Sequence, residues 1–178
     1  MRVITGDFKG RLLKAPKGRD IRPTADKVKE ALFSMIGGYI EDAVVVDLFA
    51  GSGALGLEAL SRGARICYFC DNAPESLKLI SANIGICGAG RRSAVLAGDF
   101  EKTLLILPEK ADIILLDPPY KKEFAERCLM MISEHKRLKE RGVIVFEHGA
   151  DELLPDEAAG FIKIKEKKYG AIRLSLYS

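Results

Sequence analysis

Asp117-Pro118-Pro119-Tyr120 follows the apolar run 113–116, so an acid, two prolines and an aromatic stand where a buried strand should end. Proline cannot continue a strand ladder. The chain must break there, leaving Asp117, Tyr120 and the carbonyl of Pro118 to face a cleft. These residues suit an exocyclic amine on a flat ring: a carboxylate and a backbone carbonyl accept its two hydrogens, and the phenol ring stacks on the base. For Asp-Pro-Pro alone, a strand-terminal turn with a solvated Asp117 is the plainer reading.

A second motif upstream changes that balance. Asp47-Leu48-Phe49-Ala50-Gly51-Ser52-Gly53-Ala54-Leu55-Gly56 follows the apolar run 43–46. It reads as a buried strand, a glycine-rich turn and a helix through Arg62. Gly51 and Gly53 allow a positive φ and close backbone approach to a ligand, and a helix start offers free N–H groups. Gly51, Gly53 and Gly56 match the dinucleotide fingerprint, and Asp71 lies near the distance at which an acid meets a ribose. NAD and S-adenosylmethionine both present a ribose diol to such an acid. Two features favour S-adenosylmethionine. Asp47, four residues before the first glycine, suits an ammonium group and would repel a pyrophosphate. A chain of 178 residues also leaves little room for a second nucleotide-binding half.

The positioning elements follow a βα rhythm. Strands are expected near 66–71, 94–98, 113–117 and 143–147, with helices near 74–86, 103–107 and 124–133 between them. Segments 162–167 and 171–177 read as two strands around Gly170. The natural solution is an α/β fold: a mostly parallel sheet with helices on both faces and a terminal antiparallel hairpin. In such sheets the carboxyl ends of the strands line the ligand crevice, and Asp47, Asp71, Asp99 and Asp117 all fall at expected strand ends. Further upstream, apolar residues from Ala25 to Ile36 recur at helical spacing, with Thr24 expected as the N-cap. Arg22 and Thr24 either meet a ligand carboxylate or phosphate or merely open this helix.

Charge is unevenly divided. Residues 1–29 hold nine Lys and Arg against three Asp, whereas the whole chain carries only +3. Val3-Ile4 and Leu12-Leu13 flank Gly6 and Gly10 and predict a small hairpin. Residues 1–23 are therefore read as a basic N-terminal arm and 24–178 as the main domain. Arg2, Lys9, Arg11, Lys14, Lys17 and Arg22 are its candidate phosphate contacts. A solubilising face around a structural hairpin would show the same composition.

The chain resembles the 16S ribosomal RNA (guanine-N2)-methyltransferases of the RsmD type. The likeness covers nearly its full length: Met1 to Gly6, Gly10 to Leu13, Arg22-Pro23-Thr24, Glu30 to Phe33, Asp47 to Gly56 with Glu58 to Ala64, Asp117 to Tyr120, and the region of Glu147. The glycine-rich and Asp-Pro-Pro-Tyr motifs are shared by many amino-methyltransferases; Arg22-Pro23-Thr24 combined with 55–64 is more particular. Asp71-Asn72-Ala73 departs from the family's more usual Glu-x-Asp. The resemblance implies a Rossmann-like methyltransferase sheet, S-adenosylmethionine as cofactor, and 16S ribosomal RNA within a small-subunit assembly intermediate as substrate. It implies Asp117, Pro118, Pro119 and Tyr120 as catalytic residues. Asp47, Phe49, Ala50, Gly51, Gly53, Asp71, Asn72, Asp99, Phe100 and Thr24 would bind the cofactor, with Asp99 on the adenine amine and Phe100 against the ring. Asp99 would also serve as a helix N-cap. Methylation of DNA at adenine N6 or cytosine N4 uses the same tetrapeptide and stays open as an alternative. A non-catalytic RNA-binding protein of this fold is a further one.

Composition fits one globular domain: 48% hydrophobic and 30% charged residues. No apolar run is long enough to span a membrane and no signal peptide is read, so a cytoplasmic protein is expected, and with no heptad pattern or large apolar face to argue for an oligomer, a monomer. Cys67 and Cys70 form a C-x-x-C on an expected strand, where positions i and i+3 face opposite sides. They are expected to be reduced and buried, as are Cys87 and Cys128, with no zinc site. His135 and His148 have no expected role, His148 being placed just after a strand.

Overall fold

The computed structural model describes residues 1–16, 23–118 and 122–178, with only the backbone described for 23–25 and 122–123. Lys17, Arg22, Pro119 and Tyr120, and the side chain of Thr24, lie outside the described residues.

The parallel half of the sheet grows from strands that read as continuous apolar runs, as strands covered on both faces must. β1 (Val44–Asp47) is buried at all four positions. It lies between β2 (Ile66–Asp71) and β4 (Ala111–Leu116), with β3 (Ser93–Ala97) beyond β2 and β5 (Leu138–Gly149) beyond β4, all parallel. The chain then reverses: β8 (Ile172–Tyr177) pairs antiparallel with β5, and β7 (Phe161–Tyr169) and the short β6 (Glu157–Ala158) complete the edge. The order is β3-β2-β1-β4-β5-β8-β7-β6.

Helices cover both faces. Strand alternation divides the core in two: Val45, Phe69, Ile113, Leu115, Val143, Val145 and Leu174 pack with α1 (Pro23–Met35), α2 (Ala54–Ser61) and α3 (Pro74–Cys87). Val44, Val46, Ile114, Leu116, Ile144 and Phe146 pack with α4 (Phe100–Ile106) and α5 (Lys122–Glu134). Cys67 and Cys70 fall on opposite faces, and all four cysteines are free and buried. Each fully buried Val, Leu or Phe contributes roughly 1.5–3 kcal/mol.

Differences from the expected elements have local causes. β5 begins at Leu138 rather than near 143, because Leu138 pairs with Ala111 through an irregular step that the charged stretch 139–141 conceals. α4 starts at Phe100, three residues earlier than expected, directly after Asp99. α1 starts at Pro23, where a fixed φ suits a first helical residue, so Thr24 lies inside the helix instead of capping it. His148 belongs to β5 and is buried; one ring nitrogen lies 2.9 Å from the Ser175 hydroxyl. No described helix is long and apolar enough to cross a membrane.

Candidate active site

Two strands end in acids, β1 at Asp47 and β2 at Asp71, and β4 is followed directly by a third, Asp117. Asp47 follows Val45 in alternation, Asp71 follows Phe69, and Asp117 follows Leu115, all on the α1–α3 face. Asp47 is almost fully buried, and its Oδ2 accepts the N–H of Gly56 at 2.9 Å, inside the first turn of α2. Burial pushes its carboxyl up to about 7. The Gly56 N–H acts against that shift, while the nearby charges of Asp117 and Asp71 add to it. The three acids therefore share one electrostatic neighbourhood. Among the described residues no ion pair involves Asp47.

The glycine turn is shaped by close contacts. Gly51 has φ +55° and Gly53 φ +78°, both in the left-handed region. A Cβ on Gly56 would stand 2.4 Å from the Phe69 ring and 2.6 Å from Cys67 Sγ, so α2 can pack this tightly on β2 only with glycine there. In front of Gly51, by contrast, a Cβ would meet nothing closer than 4.0 Å. That open backbone is where a ligand could approach. Asp71 braces the turn: its Oδ2 accepts the Gly51 N–H and its Oδ1 the Ala73 N–H, each at 2.9 Å. The second bond closes an Asx turn over exposed Asn72 just ahead of α3, whose N-cap Ala73 provides no side-chain acceptor.

Asp99 is exposed, and its Oδ1 accepts the N–H of Lys102 at 2.8 Å as the N-cap of α4. Phe100 is buried against Phe49 and Phe124, with ring centroids 5.3–5.8 Å apart. Phe124 was not singled out by sequence reasoning; an aromatic opening a helix after Asp-Pro-Pro-Tyr is the signal that could have found it. Ala50 is held by its N–H to the Cys70 carbonyl at 3.0 Å. Asp117 is half-buried and Pro118 buried at the end of β4.

The basic hairpin lies along α2. Val3, Phe8 and Leu13 are buried in the core, and the N–H groups of Ile4 and Thr5 donate to Glu58 at 2.8 and 3.0 Å. At one end Asn83 accepts the Lys14 N–H and donates to the carbonyls of Lys14 and Ser52, fastening the hairpin to the glycine turn. At the other end Gly6 presses on Ser61, and Asp7 and Phe8 bond to Ser61. The cations divide accordingly. Arg2 pairs with Asp26, and Arg11 caps the Ile86 carbonyl of α3 beside the Phe8 ring. Lys9 and Lys14 are exposed. Lys9 and Arg11 thus sit toward the amino-terminal rim of the strands, away from the three acids, whereas Lys14 lies beside the glycine turn.

A switched α/β sheet with a glycine turn after β1 and acids at the carboxyl ends of β1, β2 and β4 defines a Rossmann-like methyltransferase. The family described as Conserved hypothetical protein 95 matches residues 1–178, and the chain belongs to it, the family of the RsmD-type ribosomal RNA methyltransferases. YlbH of Bacillus subtilis is 39% identical over 180 residues, covering 99% of this chain and 98% of its own length. Ribosomal RNA small subunit methyltransferase D of Escherichia coli is 31% identical over 180 residues, covering 99% and 89%. The solved structure of yhhF from Escherichia coli superposes with a TM-score of 0.88 at 32% identity, over 99% of this chain and 96% of that one.

Proposed function

We propose that the protein transfers a methyl group from S-adenosylmethionine to the exocyclic N2 amine of a guanine in 16S ribosomal RNA. The observation that carries this reading is Asp117-Pro118 at the end of β4, in the same electrostatic neighbourhood as the glycine turn and Asp47. Membership of the family supports the RNA substrate over DNA.

The cradle fits the cofactor. Gly51 presents open backbone, and Asp71 is anchored on the turn where it could meet a ribose diol. Asp47 is a buried acid that a cationic ligand would satisfy. When bound, S-adenosylmethionine supplies a methyl already activated by its sulfonium. The protein's own work is then positional and electrostatic. A guanine amine is a weak nucleophile because its lone pair is delocalised into the ring. Asp117 accepts one amine hydrogen and the Pro118 carbonyl the other, which turns the lone pair toward the methyl. As the N–C bond forms and the methyl's bond to sulfur breaks, positive charge would grow on nitrogen beside Asp117, which would take the proton the nitrogen sheds. Tyr120 would stack on the base. Arg2, Lys9, Arg11, Lys14, Lys17 and Arg22 would meet RNA phosphates.

The test is labelled methyl transfer to unmodified small-subunit RNA, with and without its proteins, and to genomic DNA, followed by nucleoside identification. N2-methylguanosine in RNA is expected; methyladenine or methylcytosine in DNA would overturn the substrate. Asp117→Ala should cut kcat by on the order of 10²–10³, the usual loss for one preorganised group, with cofactor affinity nearly unchanged. A variant with intact kcat would remove Asp117 from the chemistry.

A further inference from the structure

Asp117 has a neighbour on the next strand. β4 and β5 pair in parallel with Ile113 opposite Val143, Ile114 opposite Ile144, Leu115 opposite Val145 and Leu116 opposite Phe146. The pairing ends there with β4, and Asp117 and Glu147 are the residues that directly follow on the two segments. The faces agree as well. Leu115 and Val145 belong to the core under α1–α3, and Leu116 and Phe146 to the opposite one, so the next residue on each strand returns to the first face. Adjacent strands lie about 4.8 Å apart, and Glu147 carries one more methylene than Asp117. It is half-buried, and on β8 it stands opposite fully buried Leu174.

Two acids one strand apart suit one base edge. In adenine the exocyclic amine adjoins a ring nitrogen that only accepts, and in cytosine it does the same. In guanine the N2 amine adjoins N1–H, a second donor. An acid next to the amine-binding acid would meet a lone pair in the first two bases and a proton in the third.

We infer that Glu147 accepts the N1–H of the target guanine while Asp117 holds its N2 amine, so that Glu147 sets the base specificity of the site. The inference rests on the guanine-N2 reading above. It makes Glu147 a specificity residue: it touches the base but not the atoms whose bonds change. Opposite adenine or cytosine, its carboxylate would bring a buried acceptor against an acceptor, which costs more than a missing contact.

The experiment uses the full chain, S-adenosylmethionine and an RNA fragment spanning the guanine mapped by the transfer assay. The fragment is made with guanine or with 2-aminopurine at that position; 2-aminopurine keeps the 2-amino group but carries no hydrogen on N1. The wild type should favour guanine in kcat/KM. In Glu147→Gln, whose amide can donate to the bare N1, the guanine to 2-aminopurine ratio should fall by on the order of 10–10²-fold, the usual worth of a hydrogen bond to a charged group. Cofactor affinity should stay unchanged. Because the intrinsic reactivities of the two amines cancel between wild type and variant, this change in ratio reports on Glu147 alone. Equal losses on both RNAs would overturn the inference, since a structural role lowers them together. Should the variant not fold, the wild type still decides: an inosine fragment, with N1–H and no amine, should inhibit more strongly than an adenine one, and equal inhibition would overturn it. A wild type that makes no N2-methylguanosine at all would instead bring down the reading on which the inference rests.

Discussion

Asp47 and Glu58 are two buried acids of one strand–turn–helix unit, and the structure treats them in opposite ways. Glu58, fully buried on α2, has Lys29 at 3.2 Å, Arg62 at 2.9 Å and the N–H groups of Ile4 and Thr5 around its two oxygens. It joins α1, α2 and the hairpin. Asp47, at the end of β1, receives one N–H and has two other acids for neighbours among the described residues. A buried charge surrounded by cations and donors is complete in the folded chain. One without a cation is favourable only when something positive arrives. The contrast separates architecture from binding site within a few residues.

Removing Glu58 should do the most damage. Glu58→Ala strands Lys29 and Arg62 in an interior where they have lost their counter-ion, and breaking such a pair costs about 3–5 kcal/mol. Thermal and urea unfolding should both record it, while the cofactor affinity of the molecules still folded should hold. A small loss would mean that hairpin packing, not Glu58, binds these elements.

Asp47→Asn should act in the other direction. The amide oxygen still accepts the Gly56 N–H, but the ionisation problem is gone. In the folded wild type Asp47 keeps its proton up to about pH 7, whereas the unfolded chain releases it near 3.8. Between those values the native state binds more protons, so stability is intact below about pH 4 and falls as pH rises toward 7. Three pH units correspond to at most roughly 4 kcal/mol. Asp47→Asn should flatten that slope and unfold later than wild type at pH 8 without ligand, yet bind S-adenosylmethionine more weakly. Parallel pH–stability curves for the two proteins would show that Asp47 ionises freely and end the contrast with Glu58.

The smallest effect is expected at the hairpin's far end. Arg11→Ala removes a cap from the Ile86 carbonyl and a cation from the Phe8 ring, worth about 1 kcal/mol in chemical denaturation. If Arg11 also meets phosphate, the slope of RNA binding against salt should fall by about one. An unchanged slope would leave Arg11 a structural residue.

Most of the parallel sheet was legible because its strands are short apolar runs closed by an acid, and Gly51, Gly53 and Gly56 announce a turn before a helix. The acids could be located at strand ends, but not their orientation: Asp47 turns into α2 and Asp71 braces the glycine turn, because nearby N–H groups need acceptors. The hairpin's composition suggested an arm, whereas Val3, Phe8 and Leu13 are core residues, a fact that depends on how Ser61 and Asn83 lie in three dimensions. The early start of β5 was hidden because residues 139–141 are charged, although Lys139 reaches across to Asp112 of β4 at 2.7 Å. Phe124 joins Phe49 and Phe100 only across separate helices and a loop, a proximity no local spacing records.

The order β5-β8-β7 has a consequence for how the molecule is made. β8 is synthesised after β7 yet lies inside it, so β5 waits for a partner until residue 177 has emerged. At ~5–20 residues per second of synthesis, the edge of β5 stays open for on the order of seconds. That edge includes Val143, Ile144, Val145 and Phe146, an apolar segment able to pair with another chain. Until β8 arrives this edge is open to pairing with another chain, and slower translation of residues 150–177 should lengthen that exposure.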